Sequence, residues 1–381
     1  MSLRLPILDP ADAAMSASAS APPPAPDAAR AAAEGRAGSR PGLHDSHGRT
    51  IRDVRLSITD RCNFRCTYCM APDHRFMPKR TLLDRGEYVR ICRVLAGLGI
   101  RRLRITGGEP TLHPEFETLL AEIAAVGFDD LAMTTNGSTM TPARAARWRA
   151  LGLKRITLSL DSLREDRIGA ITRSRTGVAD TVRAIDAARE AGLGPVKVNA
   201  VIMRGVNDDE CADFADFALE HRVDMRLIEW MPLDSGRTWR RDEVFTAREM
   251  LAAIRARHEL VDLGRGDPSQ TSLDFGFAGF PDAPDAPEAP DAPRIGIIAS
   301  VTRPFCGACS RLRITADGKI RPCLFSHREH DLKPLLRRDP APDDAEIVRF
   351  LADATWAKQA GHGMHEADFE PPARGMSAIG G

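Results

Sequence analysis

Six of the eight cysteines fall into two tight groups, and these set the chemistry to be explained. Cys62, Cys66 and Cys69 form C-x3-C-x2-C within TDRCNFRCTYCM, and Cys306, Cys309 and Cys323 form C-x2-C-x13-C. Three thiols as close as those of the first group fit neither one face of a helix nor one face of a strand. They belong to a loop wrapped round one object. Three thiolates suit a [4Fe–4S] cluster in which one iron keeps an open position, and an open position is where substrate or cofactor binds. Structural zinc normally takes four protein ligands. The second group leaves a zinc reading open, because His327 or His330 could supply the fourth ligand. Beside one cluster motif, however, a second three-thiolate [4Fe–4S] cluster is the better account. Cys92 and Cys211 sit among apolar residues in helical patterns and read as inert core thiols.

Polar residues recur at period two in several short segments. In 53–59, Val54, Leu56 and Ile58 share one face while Arg55, Ser57 and Thr59 share the other. The same alternation sets Arg104 and Thr106 against Leu103 and Ile105. It sets Ser159 against Leu158, and Lys197 and Asn199 against Val196 and Val198. If the apolar faces meet helices, the polar faces must line the opposite side of the sheet. Arg55, Arg104 and Lys197 there predict a wet cavity for a polyanion such as a nucleoside triphosphate. Internal ion pairs are the alternative, but few carboxylates share those faces. Thr106-Gly107-Gly108-Glu109-Pro110 ends one such segment. Its glycines permit close backbone approach to a ligand, and Glu109 could accept from an ammonium. Arg311 and Arg313 stand two apart beside Cys309, so on an extended segment they face one way and could hold phosphate or a base edge.

The elements that must position these residues alternate strand and helix. Strands are expected at 53–59, 101–106, 130–135, 154–160, 195–202 and 224–229. Helices are expected at 114–126, 142–151, 178–192 and 208–221, among others. Six such units imply an α/β fold with a parallel sheet; an open partial (β/α)6 TIM-like barrel is expected over a doubly wound sheet, a choice that periodicity alone does not make. A smaller C-terminal α+β domain would carry the second cysteine group. The expected division is a barrel at 46–245 and a cluster-binding domain at 246–381. Residues 1–45 are Ala- and Pro-rich and read as a disordered leader, neither a secretory signal nor an acid-poor transit peptide. Residues 264–293 read as a low-complexity insert without chemistry, and 376–381 as a flexible Gly-Gly tail.

Lys+Arg and Asp+Glu both number 53 in the 381 residues, which removes any electrostatic case for a nucleic-acid partner. No apolar run is long enough to predict a membrane span. Clustered cysteines in a chain of this length suit a reducing compartment, so a cytoplasmic location is expected.

TDRCNFRCTYCM, with Tyr68 just before the last cysteine, resembles the signature of the radical S-adenosylmethionine (radical SAM) superfamily. Further features resemble one family within it, the GTP 3′,8-cyclases of molybdenum cofactor biosynthesis. They are Arg55 ahead of the first motif, the spacing of the second group followed by Arg311-Leu312-Arg313, VKVNAVIMRGVND at the end of the fifth strand, and the terminal Gly380-Gly381. The resemblance spans about 49–263 and 294–381. It departs at Ala71, which precedes Pro72, and in the turn round His113. It implies a lyase with two [4Fe–4S] clusters, one on Cys62, Cys66 and Cys69 and one on Cys306, Cys309 and Cys323. S-adenosylmethionine would be held near Tyr68, Gly108, Ser159 and Met231. GTP would be held by Arg55, Arg104, Thr134, Lys197, Arg311, Leu312 and Arg313. A 5′-deoxyadenosyl radical would take the ribose 3′ hydrogen, and the carbon radical would add to guanine C8. The implied partners are GTP, an electron donor and cyclic pyranopterin monophosphate synthase as the next enzyme, with a homodimer left open. The competing readings are a two-cluster radical SAM enzyme acting on a peptide or tetrapyrrole, and a non-catalytic zinc protein that binds a nucleotide.

Overall fold

The computed structural model describes residues 26–35, 41–234, 237–280, 292–366 and 368–380. It opens with helix α1 (Pro26–Ala33), inside the stretch read as a disordered leader. Ala29 and Ala33 are buried, and Arg30 pairs with Asp353 at 2.7 Å. The expectation therefore fails for part of 1–45. Alanine is the best helix former, and its small side chain lets the helix lie close against another, so no aliphatic stripe was needed. Leu43 and Asp45 are also buried. Residues 1–25 and 36–40 lie outside the described residues.

Six parallel strands follow in sequence order: β1 (Asp53–Ser57), β2 (Arg102–Thr106), β3 (Asp130–Thr135), β4 (Arg155–Ser159), β5 (Lys197–Ile202) and β6 (Asp224–Glu229). Between them run α2 (Arg85–Gly97), α3 (Phe116–Ala124), α4 (Pro142–Ala150), α5 (Glu165–Thr172), α6 (Val178–Glu190) and α7 (Cys211–His221). Val54, Leu56, Leu103, Ile105, Ile156 and Val198 are buried in one core with Tyr88, Trp148 and Phe214 of the helices. The polar alternates are left to the other face. Register then aligns cations across strands: Arg55 stands level with Arg104 on β2, and Lys197 stands level with Asp224 on β6.

The C-terminal part does not build a separate sheet. It comprises α8 (Ala247–Arg255), β7 (Leu260–Gly264), β8 (Leu273–Phe277), β9 (Arg294–Ile298), β10 (Arg311–Ile314), β11 (Lys319–Arg321), β12 (His330–Asp331), α9 (Lys333–Leu336), α10 (Asp344–Trp356) and α11 (Met376–Ile379). β10 pairs parallel with β1, and β9 pairs parallel with β6. Both open edges of the six-stranded core are thus extended by C-terminal strands. Antiparallel β11 and β12 continue one edge, and β8 and β7 the other. Capping boxes start three of the helices: Asp84 with Glu87 for α2, Thr246 with Glu249 for α8, and Asp343 with Glu346 for α10.

Two further expectations change. The supposed insert at 264–293 contains β8, whose Phe275 and Phe277 are buried. Leu273, Phe275 and Phe277 alternate as a strand requires, and the Pro-rich neighbours masked that signal. Residues 281–291 lie outside the described residues. The tail at 376–380 is ordered: Ser377 and Ile379 are buried in and beside α11. Gly381 lies outside the described residues.

Candidate active site

After β1 the chain turns through Thr59, Asp60 and Arg61 into the loop that carries the first cysteine group. The Gly107-Gly108 pair receives this turn. The Gly108 amide donates to the Thr59 carbonyl (2.8 Å) and the Glu109 amide to the Arg61 carbonyl (2.7 Å). A Cβ at Gly107 would lie 2.5 Å from the Thr59 carbonyl oxygen, and one at Gly108 would lie 2.4 Å from that of Arg61. The glycines therefore admit the chain's own cysteine loop. Glu109 also has a different task from the one expected. Its Oε1 accepts from the Thr111 amide (3.1 Å), the Thr111 hydroxyl (2.6 Å) and the Thr135 hydroxyl (2.7 Å), and its Oε2 accepts from the Asn136 amide (2.7 Å). The protein thus already gives this carboxylate four donors, three on Oε1 and one on Oε2. Glu109 ties the end of β3 to the loop because a buried carboxylate requires donors.

The first three thiols converge at the C-terminal end of β1. Burial pushes Cys62 up to about 11 and Cys69 up to about 12, and raises Cys66 well above the usual thiol range. Each of the last two is raised further by its neighbours in the group. Three dry thiols facing one another are costly as thiolates unless a metal takes their charge. Tyr68 donates to Asp161 at 2.8 Å, and Asp161 also accepts from the Val201 amide at 2.9 Å. Burial raises Asp161 to about 6.

The second group lies at the other end of the barrel. Cys309 precedes β10, which is parallel to β1, and Cys323 follows β11, which is antiparallel to β10. The two groups thus close opposite ends of one lumen. Burial pushes Cys309 up, but Arg311, Lys358 and Arg49 outweigh it, and the thiol falls to about 7. Arg311 donates to Cys309 Sγ at 3.3 Å. His327 and His330 do not line the cavity; His362 does. Among the described residues no three His, Cys, Asp or Glu side chains are arranged to hold a single metal ion. Neither His327 nor His330 is therefore placed to complete a zinc site with the cavity-lining cysteines.

One cavity of about 320 Å³ joins the two groups and is lined by all six cysteines. Its wall also carries Arg55, Arg104, Arg226, Arg311 and Arg313, with Tyr68, Gly108, Thr134, Ser159 and Met231. Burial and then Arg55 push Arg104 down to about 9. Burial and then Arg311 push Arg313 down to about 10. Arg55 is lowered well below its ordinary value by burial, Arg313 and Arg311. A guanidinium keeps its proton in a protein. The crowding is therefore repulsion that a bound polyanion would relieve. Within the wall, Thr106 Oγ1, Asn199 Oδ1 and His362 Nε2 are buried without a hydrogen-bond partner among the described residues.

Two expected residues are elsewhere. Lys197 donates to Asp224 at 2.7 Å and is absent from the lining, because strand register sets the carboxylate opposite it. Leu312 is 0 % exposed, turned into the core between two lumen arginines. Arg226 was missed, although period two in 224–229 puts it on the lumen face. Lys358 and His362 follow α10 in irregular chain, where no periodicity could have placed them. Gly380 joins the site as well. Its φ is 75°, its carbonyl accepts from Arg313, and a Cβ there would lie 2.8 Å from Thr106 Oγ1.

Residues 56–218 match the model of the radical SAM superfamily, and residues 223–364 match that of Molybdenum Cofactor Synthesis C. A GTP 3′,8-cyclase of Streptomyces coelicolor is 43% identical over 91% of this chain and 99% of its own length. The chain belongs to the GTP 3′,8-cyclase family. Relatives of that name from Corynebacterium glutamicum and Rhodopirellula baltica are each 41% identical over 89% of this chain, covering 89% and 92% of their own lengths. Among solved structures, Streptococcus suis SuiB bound to its precursor peptide SuiA superposes with a TM-score of 0.55. It is 14% identical over 84% of this chain and 67% of that one, which speaks for the fold alone. GTP 3′,8-cyclases are radical SAM proteins with two [4Fe–4S] clusters. The two sets of three thiols fit that pair: each is half-buried, each faces the shared cavity, and each would leave one iron without a protein thiolate. Among the described residues no helix is long and apolar enough to cross a membrane.

Proposed function

We propose that this chain is a lyase that converts GTP to (8S)-3′,8-cyclo-7,8-dihydroguanosine 5′-triphosphate, the first step of molybdenum cofactor biosynthesis. The observation that carries the reading is one cavity with a three-thiolate site at each end and five arginines on its wall. When bound, the first cluster and S-adenosylmethionine supply a 5′-deoxyadenosyl radical that takes the ribose 3′ hydrogen. Cys62, Cys66 and Cys69 would hold that cluster, and Tyr68, Gly108, Ser159 and Met231 lie where S-adenosylmethionine would sit. Arg55, Arg104, Arg226 and Arg313 would screen the triphosphate, which holds the ribose in place at low entropic cost to the reaction. Thr134 and Thr157 accept from Arg104 at 3.3 and 2.9 Å and so aim its guanidinium. Cys306, Cys309 and Cys323 would hold the second cluster, which would supply an open iron to bind the guanine. The product would pass to cyclic pyranopterin monophosphate synthase, and a one-electron donor must reduce the first cluster. Eight free cysteines suit a reducing, cytoplasmic setting.

The test is anaerobic turnover of reconstituted protein with GTP, S-adenosylmethionine and a strong reductant, read by mass spectrometry. The expected result is 5′-deoxyadenosine together with a GTP isomer of unchanged mass. 5′-Deoxyadenosine with untouched GTP would overturn the substrate assignment. Neither product, with both clusters intact, would overturn the mechanism.

A further inference from the structure

The turn before β1 ends in a side chain that reaches the second cysteine group from behind. Asp45 and Arg49 close this turn. The Asp45 amide donates to the Arg49 carbonyl at 3.0 Å, and Asp45 Oδ1 accepts from the His47 and Arg49 amides at 2.9 and 3.0 Å. Gly48, at φ 76°, supplies the left-handed residue the turn needs. Asp45 Oδ2 then takes Arg49 Nε at 2.5 Å, and the two side chains are 0 % and 6 % exposed. The rest of the guanidinium points away from Asp45. Its Nη1 donates to the carbonyls of Cys306 and Ala360, both at 2.7 Å, and its Nη2 donates to the Gln359 carbonyl at 2.6 Å.

Those carbonyls belong to two segments far apart in sequence. One is the turn that presents Cys306 and Cys309. The other continues to His362, which lines the cavity together with Cys306. Only a planar fork with several donors can hold both segments while a carboxylate fixes its other edge. The arginine also sets a positive charge against the Cys306 carbonyl, in the turn that carries two of the three thiols. Hydrogen bonding and net charge around a cluster set its loading and its reduction potential.

We propose that Arg49 is a positioning residue for the second cluster, fixing the Cys306 turn against the 359–362 segment and supplying positive charge behind its thiolates. This rests on the two-cluster reading above. The test uses the full chain with Cys62, Cys66 and Cys69 all replaced by Ser, so that only the second cluster contributes signal. Iron per chain, the electron paramagnetic resonance spectrum of the reduced cluster and its reduction potential are measured after anaerobic reconstitution. With Arg49 intact, about four irons per chain are expected. Arg49→Gln is expected to lose at least half of that iron, and the remaining cluster to titrate at a more negative potential with an altered spectrum. Arg49→Lys keeps the charge and is expected to recover the potential while loading stays low. The double variant Asp45→Asn/Arg49→Gln removes the buried charge that the single variant strands, so its fold should be kept while its cluster defect persists. Wild-type loading and potential in Arg49→Gln, or in the double variant, would overturn the proposal. Absence of any cluster with Arg49 intact would instead bring down the two-cluster reading and the proposal with it.

Discussion

The two cysteine groups hold the same three thiols in opposite electrostatic settings. The first is dry and borders carboxylates: Glu109 raises Cys62, and Asp161 raises Cys66 and Cys69. The second is flanked by Arg311, Lys358 and Arg49: burial still raises Cys306, but Cys309 falls to about 7. The difference follows from which end of the barrel each closes. The first group meets the C-terminal strand ends and a loop pinned by glycines. The second meets the arginines at the start of β10. A neutral-to-acidic end suits a cationic sulfonium, and a cationic end suits an anionic nucleotide. The division of labour between the ends is therefore electrostatic as well as spatial.

The strongest way to break that division is to remove one group at a time. Cys66→Ser is expected to abolish both 5′-deoxyadenosine formation and GTP conversion. Cys309→Ser should abolish GTP conversion while 5′-deoxyadenosine still forms, measured by anaerobic chromatography. Equal loss of both products in Cys309→Ser would mean that the ends are not separable. Gly108→Ala comes next. Its Cβ would overlap the Arg61 carbonyl, and overpacking of this kind costs about 1–3 kcal/mol. Iron analysis should show the first cluster depleted and the second retained. Arg55→Ala and Arg313→Ala are expected to raise KM for GTP by at least about 30-fold, since truncating one partner of a buried charge contact costs about 2 kcal/mol or more. KM for S-adenosylmethionine should stay near wild type; a matching rise would show that the arginines do not serve one end alone. The smallest effect is expected at Lys197. Because Asp224 already holds its ammonium, Lys197→Met should change KM for GTP less than Arg55→Ala does. It should also lower the melting temperature by about 2–4 °C, roughly 1 kcal/mol.

The same contrast explains which residues were legible in the sequence. Arg55, Arg104 and Ser159 stood out because period two sorts a strand into two faces without any knowledge of its neighbours. Arg226 obeyed the same rule and needed only its application to 224–229. Lys197 obeyed it too, yet periodicity gives a face and not a partner. Strand register supplied Asp224, which holds the Lys197 ammonium. Glu109 and the two glycines were recognisable as a motif, but their role was not. Whether a glycine makes room for a ligand or for Thr59 and Arg61 depends on a loop lying in space beside it. Helix α1 went unread because alanine gives propensity without a stripe, and its partner α10 lies far along the chain.

Cysteine spacing, strand alternation and the composition of 53–229 thus determined by themselves the two metal-ligating groups, the parallel α/β sheet and most of the cationic wall. These are local properties, set by side-chain type and by the fixed periods of backbone structure. Tertiary structure alone decided that β9 and β10 extend the two edges of one sheet, and so that the cysteine groups face each other across a single lumen. It alone brought Arg49, Lys358, His362 and Gly380 to that lumen or its back wall. Pairing between distant strands, and burial that forces each polar group to find a partner, are not written in any short stretch of sequence.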